Sequence, residues 1–105
     1  MLFRSSAIVE DARFWYAASL SRAGKKAKAQ TALTSFIAKY PNSLRRGEAA
    51  IALGRLLLES GDLDGAQIIF ESAQDDPLAA VQKSAKDGLA AVAKKRAASP
   101  TTQPQ

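Results

Sequence analysis

FWYAASLSRAG (residues 14–24) and IALGRLLLESG (residues 51–61) decide the fold when laid on one another. A shift of 37 residues puts Tyr16 on Leu53, Ala17 on Gly54, Leu20 on Leu57 and Gly24 on Gly61, and carries Ala29 onto Ala66 and Leu33 onto Phe70. Bulky residues meet bulky ones, small meet small, and one terminal glycine meets the other. Agreement at one fixed offset is the mark of a repeated structural unit, so the chain reads as two copies of one module.

Working outward, each copy predicts two helices. The first spans about 6–23 and closes on Gly24, which tolerates the left-handed backbone of a helix end. The second spans about 25–39 and is stopped by Tyr40-Pro41-Asn42-Ser43, where proline ends the helix and Ser43 is placed to cap the next. Helix three, about 44–60, closes on Gly61. Asp62 opens helix four, whose apolar residues Leu63, Ala66, Ile69, Phe70 and Ala73 lie on one helical face. Asp76-Pro77 restarts the chain into a fifth helix, about 77–96. There the shift of 37 puts Gly54 on Ala91 but Leu57 on Lys94, a loss of apolar character expected of a terminal capping helix. The reading is all-α: a domain over 1–97, with unit one at 6–43, unit two at 44–76 and the cap at 77–97. A polar, proline-containing tail at 98–105 has nothing to bury and is expected to be disordered.

Composition agrees. The 105 residues include 22 alanines but only twelve Val, Ile and Thr together, which favours helix over strand. Cysteine and histidine are absent, which removes disulfides, Cys- or His-ligated zinc, cysteine nucleophiles and Ser/His/Asp triads. Asp62-x-Asp64-Gly65 has the start of a calcium loop but lacks its glutamate and further ligands. Asp62, Asp64, Asp75 and Asp76 are better read as acids favoured at helix starts. Catalysis, a cofactor and a metal are therefore not expected. No apolar run has the length of a signal peptide or membrane span, so the chain as written is expected to be cytoplasmic, or periplasmic as a segment of a longer envelope protein.

These residues resemble the tetratricopeptide family, through Tyr16, Ala17, Leu20, Gly24, Ala29, Leu33 and Pro41 in unit one and Leu53, Gly54, Leu57, Gly61, Ala66 and Phe70 in unit two. RAGKKAKAQTALTSFIAKYPNS and GRLLLESGDLDGAQIIF are similar to bacterial cell-envelope members, of the Tol–Pal-associated coordinator and outer-membrane assembly lipoprotein types, and to repeat tails of anti-sigma-like regulators. Unit two departs from the pattern, with Asp76-Pro77 in place of the closing Tyr-Pro, and the stretch from Asp75 to Ala91 also resembles a HEAT repeat. The resemblance implies a short right-handed α-α superhelix in which the small residues Ala17, Gly54, Ala29 and Ala66 allow close approach. Tyr16, Leu20, Leu33, Phe36, Leu53, Leu57 and Phe70 would fill the core.

It also implies a concave groove lined by the first helix of each unit. Its positions would be Asp11, Phe14, Ala18, Ser21 and Arg22, then Glu48, Ile51, Arg55, Leu58 and Glu59. Apolar anchors among charges suit a protein or peptide partner, an extended peptide or a docked helix. The carboxylate-clamp mode is not expected, since Phe14 and Ala18 stand where it needs Lys and Asn. Three adjacent aromatics at 14–16 span most of a helix circumference, so at least one points away from the local core, under a further helix or toward a partner.

Charge supplies the other reading. Residues 1–46 carry net +7, residues 47–82 net −6 and residues 83–105 net +4, a pattern able to bias head-to-tail contact in a homo-oligomer. Nucleic-acid binding through the basic segments 22–46 and 83–96 is the alternative function, with a sequence pI near 9.8. Against it, no stacking aromatics interleave with the bases Lys25, Lys26, Lys28, Lys39, Arg45 and Arg46, and the acidic second unit would repel phosphate.

Overall fold

The computed structural model describes residues 2–98, with side chains from Ile8 onward; the tail expected to be disordered lies, from Ser99, outside the described residues. Five helices follow in order: α1 (Leu2–Arg22), α2 (Lys26–Lys39), α3 (Arg46–Ser60), α4 (Leu63–Ala73) and α5 (Ala79–Ala97). Each packs on its chain neighbours, and α3 also packs on α5. The arrangement is an all-α, tetratricopeptide-like stack of helix pairs.

The duplication extends to single hydrogen bonds. Lys25 N–H donates to Leu20 O at 3.0 Å and Gly24 N–H to Ser21 O at 3.1 Å; 37 residues on, Asp62 N–H donates to Leu57 O at 2.9 Å and Gly61 N–H to Leu58 O at 3.1 Å. Both glycines take positive φ, 79° and 91°, so the two helix ends are the same motif built twice. Helix starts differ. Asp62 caps α4 by accepting from Gly65 N–H at 2.9 Å, whereas Lys25 gives α2 no side-chain cap. Two expected starts are displaced inward. Ser43 Oγ accepts from Arg45 N–H and leaves α3 to begin at Arg46; Asp76 accepts from Leu78 N–H and leaves α5 to begin at Ala79. In each case the short acceptor closes a local turn before the helix, which competes with capping it. At the other end α1 starts at Leu2, earlier than the sequence suggested.

The core has two centres. Phe14, Ala17, Leu33, Phe36, Leu53 and Leu56 belong to the first; Ile51, Ala66, Phe70, Ala73, Val81 and Val92 to the second. Phe70 is 1% exposed, and burial of such a ring contributes roughly 1.5–3 kcal/mol. It lies where two glycines make room: a Cβ on Gly54 would come within 2.6 Å of the ring, and one on Gly88 within 2.5 Å. Gly88 is therefore the α5 counterpart of Gly54, and the offset from unit two to α5 is 34 residues, which replaces the alignment of Gly54 with Ala91. The shorter offset follows from the helix pair itself, since α4 has 11 residues where α2 has 14.

One core assignment is reversed. Tyr16, expected in the core, is 61% exposed, and Phe14, expected on the groove, is 7% exposed. Phe14 falls on the face of α1 shared with Ala17 and Ser21, at i+3 and i+7, and that face meets α2 and α3. Tyr16 is turned about 160° away from Phe14, two residues at about 100° each short of a full turn.

Candidate functional site

Helices α1, α3 and α5 open the successive helix pairs, and the two offsets bring their side chains into register. Asp11, Trp15, Ala18 and Arg22 of α1 correspond to Glu48, Ala52, Arg55 and Glu59 of α3. Between α3 and α5 this face opens into a cleft of about 310 Å³, with Glu48, Ala52 and Arg55 on one wall, Leu78, Ala80 and Ser84 on the other, and Val81 in the floor. Ile51 lines the same cleft but is only 5% exposed, so it forms part of the floor. The narrow approach of the helices begins at Gly47, where a Cβ would come within 2.8 Å of Val81 and would collide with the Asp76 carboxylate.

At the α1–α3 edge Arg45 joins the units. Its Nε lies 3.0 Å from Asp11 Oδ1 and its Nη1 3.4 Å from Glu48 Oε1. Its guanidinium stands 5.1 Å from both the Phe14 and the Trp15 ring centres. Each contact alone is worth about 1 kcal/mol or less at an exposed position. Together they hold one planar group against two rings and two carboxylates, which orients the edge more than it stabilises it. Lys26, 3.1 Å from Glu59, ties α2 to the far end of α3.

The ten sequence-derived groove positions divide accordingly. Asp11, Arg22, Glu48, Arg55 and Glu59 are exposed on this side, and Ala18, Ser21 and Leu58 are partly buried. Leu58 packs against the second core centre, while Phe14 lies in the first. Phe14 is thus unavailable as an anchor, and the aromatic presented here is Trp15, 46% exposed. Sequence reasoning also missed Arg45, Ala52, Leu78, Val81 and Ser84. An offset of 34, readable from Gly54 and Gly88, would have located the α5 residues; Arg45 could be suspected from its three-residue spacing to Glu48.

Electrostatics give this face a sign. The carboxylates Asp11, Glu48 and Glu59 each have a cationic partner, whereas Arg22 and Arg55 have none among the described residues. The surface therefore offers two uncompensated guanidinium groups, Arg55 at the apolar cleft and Arg22 at the end of α1, which suits a ligand bearing carboxylates. Among the described residues no three metal-ligating side chains converge, and no helix is long and apolar enough to cross a membrane.

Comparison with known proteins bears on the first helix pair. A family model described as a tetratricopeptide repeat matches residues 11–43, which takes in most of α1, all of α2 and the following loop. No curated protein and no solved structure matches the chain significantly. The matched stretch is the first helix pair, and the second repeats its turn chemistry and its buried small and large positions.

Proposed function

We propose that the chain is a non-catalytic interaction module that holds a peptide or partner helix along the concave side of α1, α3 and α5. It would act as a scaffold or as a segment of a larger bacterial cell-envelope or regulatory assembly. Tetratricopeptide repeats generally mediate protein–protein interaction, and they are typically non-catalytic. The observation that carries the reading is the α3–α5 cleft: an apolar floor at Ile51 and Val81, with the unpaired Arg55 on its rim. The bacterial setting is supported only by the resemblance of residues 22–43 and 54–70.

Nucleic-acid binding is not favoured. Within the two basic segments Lys26, Arg45, Lys83 and Arg96 are each within 4 Å of a carboxylate, and residues 47–82 between the segments carry net −6. The test is capture of partners by the full chain and by Arg22→Glu, Arg55→Glu and Leu78→Glu, with Thr34→Glu on the exposed side of α2 as control. Capture is expected to fall tenfold or more in the first three and to stay unchanged in the fourth. Equal capture by all four would overturn the reading. A gel shift that weakens steeply with salt would favour nucleic acid instead.

A further inference from the structure

One flank of α3 is covered and the corresponding flank of α1 is open. The offset of 37 pairs Ala49, Leu53 and Leu56 with Ala12, Tyr16 and Ser19. The three α3 residues are buried in one cluster with Leu33 and Phe36 of α2, the helix packed against them. Ala12 and Ser19 are exposed, as is Tyr16, and Ile8 and Val9 (68% and 43% exposed) continue the same stripe toward the N-terminus. Monomers seldom leave such a stripe of large apolar side chains to water without a use for it.

The surroundings of Tyr16 specify what fits. It stands between two clefts on the α1–α2 seam, of about 390 and 140 Å³. Lys28 lines one, Arg13 and Lys39 line the other, and neither is lined by a carboxylate. None of these three cations has an ion-pair partner among the described residues. The end of the flank differs from its counterpart in the same sense. Covering α2 is tied to α3 through Lys26 and Glu59, and the residue of α1 that corresponds to Glu59 is Arg22. A helix seated here would carry an acid where α2 carries a lysine.

We propose that the outer flank of α1 is a second docking surface, which meets the concave side only at Arg22, and that it takes an amphipathic helix of a partner protein. The partner helix presents an apolar stripe to Tyr16, Ile8 and Val9 and acidic side chains to Arg13, Arg22, Lys28 and Lys39. A second copy fits less well. The acidic helix α4 offers Ile68 as its only strongly exposed large apolar side chain, which is a single contact and no stripe.

The probe is a synthetic peptide of residues 25–41, the sequence that covers α3, with Lys26→Glu, Lys28→Glu and Lys39→Glu. It contains no tryptophan, so Trp15, the single tryptophan of the chain, reports its arrival. Saturable binding to the full chain is expected, at least tenfold tighter than for the unsubstituted peptide. It is expected to be at least tenfold weaker in the exposed-residue variant Tyr16→Lys and unchanged in Arg55→Glu. Equal binding of both peptides, indifference to Tyr16→Lys, or no saturable change in Trp15 fluorescence would overturn the proposal. A Trp15 change produced by raising the protein concentration without peptide would overturn it in favour of a second copy.

Discussion

The first helix pair spreads its core volume over Phe14, Leu33 and Phe36, whereas the second concentrates it in Phe70, seated between Gly54 and Gly88. The positions correspond one to one: Phe14 becomes Ile51, Ala17 becomes Gly54, Leu33 becomes Phe70 and Phe36 becomes Ala73. Where the second helix gains bulk, the first gives it up. What the duplicated module exchanges is size at one facing pair, Ala17 and Leu33 in the first unit for Gly54 and Phe70 in the second, because the interior tolerates exchange of size more readily than a net gain or loss.

The largest expected effect follows from the concentration. Phe70→Ala empties a site with no second aromatic beside it and is expected to destabilise the chain by about 3–5 kcal/mol, a large part of a small domain's stability. Leu33→Ala, at the corresponding position, removes fewer atoms from a cluster that retains Phe14 and Phe36, and is expected to lose less, within about 2–5 kcal/mol. Urea unfolding of both variants compares them directly; a greater loss at Leu33 would break the contrast.

Adding volume is the opposite test. Gly54→Ala or Gly88→Ala drives a methyl into the Phe70 ring and is expected to lower stability by about 1–3 kcal/mol, despite a helix-propensity gain of up to about 1 kcal/mol. Gly54→Ala combined with Phe70→Leu recreates the first pair's Ala and Leu, and is expected to be less destabilising than the sum of the two single changes. Strict additivity would mean that the exchange of size is not what couples the two positions.

Smaller effects come from the ends of the helices. Gly24 and Gly61 have the same backbone, and nothing lies within 4 Å of a Cβ on either, so both alanine variants are expected to lose a similar amount, about 1–2 kcal/mol. Smallest of all, Lys25→Asp would give α2 the cap that Asp62 gives α4. Thermal unfolding is expected to show a gain of about 0.5–1 kcal/mol.

How far the sequence could be read depended on which neighbour a residue has. The glycine stops, the Asp62 cap and the small-on-large pairs are set by local backbone chemistry and by the partner helix of the same pair, and all were legible. The orientation of 14–16 was not, because three consecutive aromatics satisfy any helical phase and the choice of Phe14 for the core depends on where α2 and α3 cross α1. Analogy with Leu53 predicts Tyr16 inward, yet Leu53 is covered by the helix of the preceding pair, and no helix covers Tyr16 in that way among the described residues. The groove suffered in the same way: its exposed charges were found, while Arg45 and the α5 wall required knowledge of how units stack. Only an offset of 34 brings that wall into view.

The most direct measurement is photo-crosslinking of the full chain with a reactive amino acid placed at Arg55 in one sample and at Thr34 in another. The account predicts polypeptide adducts from position 55 that map to one continuous segment of a partner, with few or none from position 34. Adducts at equal yield from both positions, from position 34 alone, or with nucleic acid instead of protein would contradict it.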